Sequence, residues 1–339
     1  MSDRYSRQTL FAPIGEKGQQ RIAGKHVLII GAGALGTGNA EALVRAGVGK
    51  ITIVDRDYVE WSNLQRQQLY SEDDAKNRMP KAIAAKERLR RINSEVEIKA
   101  FILDATPLEL ERFAAGVDLI LDATDNFDTR MMINDISQKY EIPWIYGACV
   151  GSYGISYTII PGETPCLHCL LESVPLGGLT CDTAGIISPA VGMVVAYQTA
   201  EALKILVEDW GAIRKKLISF DLWTNQQTAI NVSKIKKENC SSCGMKATYP
   251  FLSFENQTKT AVLCGRDSVQ IRPPHVQKRD LQTIADTLSG KGGKVEQNPY
   301  LLSFTIGEHR LVMFQDGRAL VHGTKDIAEA KTLYHRYFG

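Results

Sequence analysis

Four of the seven cysteines stand in two C-x-x-C pairs, Cys166-Leu-His-Cys169 and Cys240-Ser-Ser-Cys243. Two such pairs supply four thiolates, enough for a closed tetrahedral Zn2+ site with no position open for catalysis. The long gap between the pairs means that the metal would clip distant segments together. A redox C-x-x-C, or His168 in place of one cysteine, are the competing readings, and two paired knuckles favour four-sulfur zinc. A second constellation is Gly31-Ala32-Gly33-Ala34-Leu35-Gly36, directly after an apolar run. Glycines there permit a tight turn and let backbone approach a phosphate at a helix N-terminus. Asp55 ends the next apolar run, where a carboxylate can hold a ribose hydroxyl. These features fit NAD, FAD and ATP alike, and a tight turn with no ligand is the plain alternative.

Two further segments separate the nucleotides. Trp61-Ser62-Asn63-Leu64-Gln65-Arg66-Gln67 lies just past Asp55, and Met79-Pro80-Lys81 a little further on. Arg66 and Lys81 would put two cations beside the pocket, as a triphosphate needs and a dinucleotide does not. Alone they would read as solvated surface charges. Asp122-Ala-Thr-Asp125-Asn126 ends a buried strand, where doubly wound sheets bind ligands. Asp125 could hold Mg2+ through one carboxylate, or it could cap the following helix. Asp122 could orient neighbours or only satisfy backbone groups. Cys181, in the glycine-rich stretch Gly177 to Gly185, could be exposed and reactive or merely small and half-buried. Cys149 reads as core and Cys264 as structural.

The elements that must position these residues alternate in the first half. Lys25 to Gly31, Lys50 to Asp55, Asp118 to Ala123 and Pro143 to Val150 read as buried parallel strands, and Glu95 to Ile102 alternates like a strand. Ala34 to Gly47 and Pro80 to Ile92 read as helices, the second with Pro80 at its start. Strands spaced by helices imply right-handed crossovers and a doubly wound, Rossmann-like, mostly parallel α/β sheet. After Gly151 the stretch SYGISYTIIP reads as an antiparallel edge strand. A long apolar helix, Pro189 to Val207, and strands Lys216 to Trp223 and Thr228 to Ile235 complete an antiparallel extension that carries the zinc knuckles. Residues 247–339 read as a separate small α+β domain, with helices Arg279 to Ser289 and Lys325 to Tyr337. Asp316-Gly317 marks a hairpin there.

Composition sets the outer bounds. A chain of 339 residues suits two compact domains, 1–246 and 247–339. With 44% hydrophobic and 23% charged residues it is neither disordered, coiled-coil nor collagen-like. A net charge of +2 argues for neither nucleic acid nor anionic membrane as a partner. Apolar runs are strand-sized, far short of the ~20 residues that span a bilayer. The polar N-terminus has no signal-peptide core, which points to the cytoplasm, where an odd cysteine count argues against a disulfide framework.

As an ordered set these residues resemble the bacterial ThiF/MoeB family, relatives of the adenylation domain of ubiquitin-activating enzymes. The pieces that carry the resemblance are RYSRQ, GAGALG, Asp55 with SNLQRQ, MPKA, DATDN, GGLTC and both knuckles, spanning about residues 4–244. Ala34 departs from a second consecutive glycine, and Asn77-Arg78-Met79 from a Gly-x-Pro-Lys turn. The resemblance implies that Gly31, Gly33, Ala34 and Gly36 line the ATP phosphates and Asp55 binds the ribose. It implies that Asn63, Arg66 and Lys81, in segments that include Ser62, Leu64 and Gln65, bind the triphosphate. Asp125 would hold Mg2+, with Asn126 beside it. Arg7 would reach into the partner subunit's site of a homodimer, and Cys181 would either form a covalent link to the substrate or have no chemical role.

The substrate implied is a small ubiquitin-like sulfur-carrier protein ending in Gly-Gly, of molybdopterin or thiamin-thiazole synthesis. Its carboxylate would attack the α-phosphate of ATP, expel pyrophosphate and leave an acyl-adenylate ready for sulfur, with a sulfurtransferase as a further partner. The readings that compete are an NAD-dependent oxidoreductase and a non-catalytic partner-binding subunit. The first leaves SNLQRQ, Lys81 and the four-cysteine site without a role, and the second leaves Asp55, Arg66, Lys81 and Asp125 without one.

Overall fold

The computed structural model describes residues 3–171, 185–253, 260–262, 267–272 and 278–338. The chain divides into two compact units, Met1–Asn256 and Gln257–Gly339. The boundary falls past residue 246 because the backbone N–H of Phe251 donates to Asp135 Oδ2 at 2.9 Å and Phe251 and Leu252 pack on the first core.

The first unit is built on an eight-stranded sheet in the order β3-β2-β1-β4-β5-β6-β7-β8. Strands β1 (His26–Ile30), β2 (Lys50–Asp55), β3 (Glu97–Ile102), β4 (Leu119–Asp122) and β5 (Trp144–Val150) run parallel. Strands β6 (Tyr153–Ile159), β7 (Lys216–Asp221) and β8 (Gln226–Asn231) continue antiparallel. The expected edge strand is therefore an inner one: β6 lies between β5 and β7, and the edge is β8.

Successive strand residues face opposite layers, and both layers are apolar because helices cover both faces. On one face Val27, Ile29, Ile51, Ile53 and Leu121 pack against helices α3 (Ala34–Ala46), α5 (Lys81–Ile92) and α9 (Ser188–Leu206). On the other Leu28, Ile30, Val54, Ile120 and Trp144 pack against α6 (Pro107–Ala114), α7 (Phe127–Tyr140) and the short α8 (Leu167–Leu171). Each such aliphatic side chain contributes roughly 1.5–3 kcal/mol by burial. That rigid two-faced slab holds the C-terminal ends of β1, β2 and β4 side by side.

The N-terminal arm runs through α1 (Ser6–Thr9) to α2 (Gly15–Gly24). Asn93 Nδ2 donates to the Tyr5 hydroxyl at 2.8 Å and Gln8 Nε2 to the Ala46 carbonyl at 2.9 Å, which tie the arm to the C-terminal ends of α5 and α3.

Among the described residues of the second unit, strands β9 (Thr260–Val262), β10 (Ser268–Ile271), β11 (Lys294–Gln297), β12 (Leu301–Ile306), β13 (His309–Phe314) and β14 (Ala319–His322) form an antiparallel sheet in the order β11-β12-β13-β14-β10-β9. Helices Leu281–Ser289 and Ile327–Phe338 bury Leu281, Leu288, Tyr334 and Phe338 against Val269, Phe304, Leu311 and Val321 of that sheet. The strands His309–Phe314 and Ala319–His322 form the hairpin expected around Asp316-Gly317.

Candidate active site

The glycine loop leaves β1 through Gly31, whose φ of +97° lies in the left-handed region. A Cβ on Gly31 would stand 2.4 Å from the Ala123 carbonyl oxygen, and one on Gly36 would stand 1.9 Å from the Gly31 carbonyl oxygen. These two glycines are needed by the fold itself. Gly33 differs, with an ordinary φ of −78° and nothing nearer to its missing Cβ than Gln67 Nε2 at 4.0 Å. Ala34, which departs from the usual glycine, packs against the cluster of Leu35, Val191 and Val194. Gly33 caps α3 without a side-chain hydrogen bond, so the first-turn N–H groups of Ala34, Leu35 and Gly36 lack intrahelical partners. Such an end with its positive dipole is suited to an anion.

Asp55 braces this loop. Its Oδ2 accepts from Ala32 N and its Oδ1 from Asp57 N, both at 2.6 Å. Burial raises its carboxyl above the usual range, against the opposing pull of Lys81 and the two N–H groups. Behind the loop the Tyr70 hydroxyl sits 2.6 Å from the Ala32 carbonyl and 3.1 Å from the Lys81 carbonyl, so one side chain joins the loop to the start of α5.

The segment after β2 turns through a short 3-10 helix, Trp61–Asn63. Asn63 is buried and its Oδ1 accepts from Glu60 N at 3.0 Å, which fixes the turn. Ser62 and Gln65 are exposed, and Leu64 packs on the core. Arg66 is half-buried and gives one bond, from Nη1 to the Ser62 carbonyl at 2.9 Å. Lys81 opens α5, is 5% exposed, and its Nζ lies 3.4 Å from Asp57 Oδ2. A near-buried ammonium held by so long a contact retains donor capacity for a further anion. Gln67 is buried beside Gly33, and its Oε1 has no hydrogen-bond partner.

At the end of β4, Asp122 is fully buried. Its Oδ1 accepts from Thr124 N at 2.9 Å and Thr124 Oγ1 at 2.7 Å, and its Oδ2 from Arg130 Nε at 3.0 Å. Of the two readings open for Asp125, the helix cap falls to its neighbour: Asn126 caps α7, accepting from Thr129 N at 2.8 Å. Asp125 is exposed, and its carboxylate has no hydrogen bond or ion pair among the described residues.

A second cluster lies beyond α7. Cys166, Cys169, Cys240 and Cys243 bring their sulfurs within 4.8 Å of one another, with Cys166–Cys240 at 3.7 Å and Cys169–Cys243 at 3.6 Å. Four sulfurs each ~2.3 Å from one zinc ion would lie about 3.8 Å apart, so the donor set fits that ion. Hydrogen bonding among these thiols pushes Cys166 well above the ordinary thiol range and holds Cys169 well below it. His168 stands outside the set, its Nδ1 3.3 Å from Ser241 Oγ and from Ser242 Oγ. Helix α7 reaches the cluster through Asn134, whose Oδ1 accepts from Leu167 N at 2.8 Å.

Two expected site residues are elsewhere. Arg7 is exposed on the N-terminal arm, at the far end of α3 from the glycine loop. Cys181 and Cys264 lie outside the described residues. Cys149 is half-buried and packs beside Val191 and Phe220. Gln67, Tyr70 and Arg130 join the site without having been assigned a role from sequence.

Residues 5–242 match the ThiF family.

The chain belongs to the ThiF family.

Within it, the chain is 54% identical over all 339 residues to the Bacillus subtilis "Sulfur carrier protein ThiS adenylyltransferase", and covers 100% of both chains. It is 34% identical over 243 residues to the Escherichia coli "Molybdopterin-synthase adenylyltransferase", covering 71% of this chain and 96% of that one. Among solved structures, Escherichia coli MccB with ATP superposes with a TM-score of 0.61 at 23% identity over 72% of this chain and 75% of that one, a likeness of fold. The ThiF match ends in the second knuckle, whereas the likeness to the B. subtilis protein runs through the C-terminal unit.

Proposed function

We propose that this chain adenylylates the C-terminal glycine carboxylate of a small ubiquitin-like sulfur-carrier protein, with ATP as the nucleotide and pyrophosphate as the leaving group. The observation that carries the reading is the 54% identity over both full lengths to a ThiS adenylyltransferase, which favours the thiamin carrier over the molybdopterin one.

The site offers what that reaction needs. A carboxylate ending in Gly-Gly is ionised at pH 7, so no general base is required. One carboxylate oxygen bonds to the α-phosphorus as the α–β bridging bond breaks and its electron pair leaves with pyrophosphate. The enzyme's task is alignment and charge neutralisation. The first-turn N–H groups of α3 and Gly33 take the phosphates, Lys81 and Arg66 offset their charge, and Asp55 faces the ribose beside the loop it braces. Asn63 shapes the turn that presents Arg66. Asp125, exposed and untethered, would hold Mg2+, which when bound neutralises phosphate oxygens and fixes their geometry. The four-cysteine cluster would hold Zn2+ as a structural clip.

Arg7 enters through a homodimer. Helix α3 is about 20 Å long, and the arm is tied to its far end. Arg7 therefore stands farther from its own glycine loop than one side chain spans, and a second copy can present it to the site.

ATP–pyrophosphate exchange tests the reading. Exchange that depends on a carrier ending in Gly-Gly, faster with a thiamin-type than a molybdopterin-type carrier, is expected. Exchange with neither, from folded protein that binds ATP, would contradict it.

A further inference from the structure

The buried pair Asp122–Arg130 has no role in the reading above, yet it costs the fold something. Burying two charges carries a desolvation penalty that their attraction often only offsets, and an apolar pair of similar volume would anchor α7 as well. What an apolar pair would lack is a grip on backbone. Arg130 Nη2 donates to the Thr124 carbonyl at 2.7 Å while Nε holds Asp122 Oδ2. Asp122 Oδ1 holds Thr124 N and Oγ1. The guanidinium is fixed in turn, with its Cζ 5.3 Å from the ring centroids of both Phe127 and Tyr146. From the opposite layer Gln198 Nε2 donates to the Asp122 carbonyl at 2.9 Å, and Asn39 Nδ2 holds Gln198 Oε1 at 2.7 Å. Every polar group of residues 122–124 named here is engaged, and the next residue is Asp125.

We infer that Arg130 is a positioning residue: through Asp122 and the Thr124 carbonyl it locks the turn that aims the Asp125 carboxylate at the nucleotide. Asp125 has no tether of its own among the described residues, so its placement is set by the backbone on either side. Asn126 secures one side by capping α7, and Arg130 secures the other. A fork is required, because one planar group must reach a carboxylate and a carbonyl at once. The inference rests on the proposed role of Asp125.

The test compares Arg130→Lys, which keeps the charge and loses the fork, with Asp125→Ala and the double variant. Two quantities are read: the rate of carrier-dependent exchange, and the Mg2+ concentration that half-saturates binding of a fluorescent ATP analogue without carrier. Arg130→Lys is expected to lower the exchange rate at least tenfold, with KM for ATP changed less than threefold, and to raise the Mg2+ midpoint severalfold. In the Asp125→Ala background Arg130→Lys should change neither. Thr124→Val, which removes one bond to Asp122 and keeps the volume, should move both in the same direction by a smaller factor if Arg130→Lys does not fold. Effects of Arg130→Lys and Asp125→Ala that multiply, or a lowered melting temperature with rate and midpoint unchanged, would overturn the inference alone. An Asp125→Ala protein with native exchange would overturn the underlying assignment of Asp125 as well.

Discussion

Gly33 and Gly36 are three residues apart in one motif, and the structure gives them different duties. A Cβ at Gly36 would stand inside contact distance of backbone that cannot yield. Gly36→Ala is expected to destabilise the unit by roughly 3 kcal/mol or more. Gly33→Ala places its methyl in open space, so the melting temperature should stay within ~2 °C while ATP binding weakens more than tenfold. Melting curves and an ATP titration of the two variants check this, and a Gly33→Ala protein with native affinity would remove the phosphates from this loop. The glycine loop and Asp55 stand out in the sequence by type and position, whereas Arg66, Lys81 and Asp125 become candidates only in company with them. Gln67 and Arg130 were not legible, because a buried amide or guanidinium acquires meaning only from what surrounds it. For Asp125 local sequence left two duties open, and the side chain of Asn126 took one of them.

At the scale of elements, the apolar strands and glycine-flanked helices were readable as runs and periods. Helix α7 was readable only as a helix following Asp125 and not in its extent, because Thr129 through Gln138 are all buried and include Asn134, Asp135 and Ser137, so no polar face marks the period. The position of β6 was misread for the converse reason. Ser156 and Thr158 alternate with apolar residues as on a half-exposed strand, yet both are fully buried, and Thr158 Oγ1 donates to Glu201 Oε2 at 3.1 Å.

Helix α7 spans from the Asp125 turn to the cysteine cluster, so loss of the clip should be felt along it. Cys240→Ser, or removal of metal by a chelator, is expected to cost several kcal/mol of stability and to release about one zinc ion per chain. A metal assay and a denaturant midpoint measure both, and a native midpoint without zinc would contradict the clip.

Strand β1 adds a pH dependence. His26 bonds the Gly116 carbonyl and Thr52 Oγ1, and burial lowers its pKa from the ordinary value. The unfolded chain then binds the proton more readily, so stability is full above about pH 6.5 and falls as pH drops through that value toward the folded pKa. His26→Gln should flatten the decline in melting temperature between about pH 7.5 and about pH 5.5, and an unchanged slope would assign the decline to other groups.

For the whole molecule, the proposed presentation of Arg7 by a second copy makes a sharp forecast. Arg7→Ala and Asp125→Ala proteins should each keep only a small, still measurable residue of activity, and re-assorted mixtures should recover full activity at about a quarter of the sites, those where one copy lends Arg7 to the other's intact Asp125. No recovery from a mixture shown to contain mixed dimers would confine Arg7 to its own chain or to no role. Among the described residues no helix is long and apolar enough to cross a membrane. The fold of the C-terminal unit was legible from its helix patterns and its hairpin, but no residue in it carried chemistry that a sequence could disclose. The central claim is attack of a protein carboxylate on the α-phosphate of ATP. Its most direct measurement is a single turnover with a Gly-Gly carrier and ATP labelled at the α- or the γ-phosphate. The account predicts α-label on the carrier and γ-label in pyrophosphate, whereas γ-label released as inorganic phosphate, with ADP formed, would contradict it.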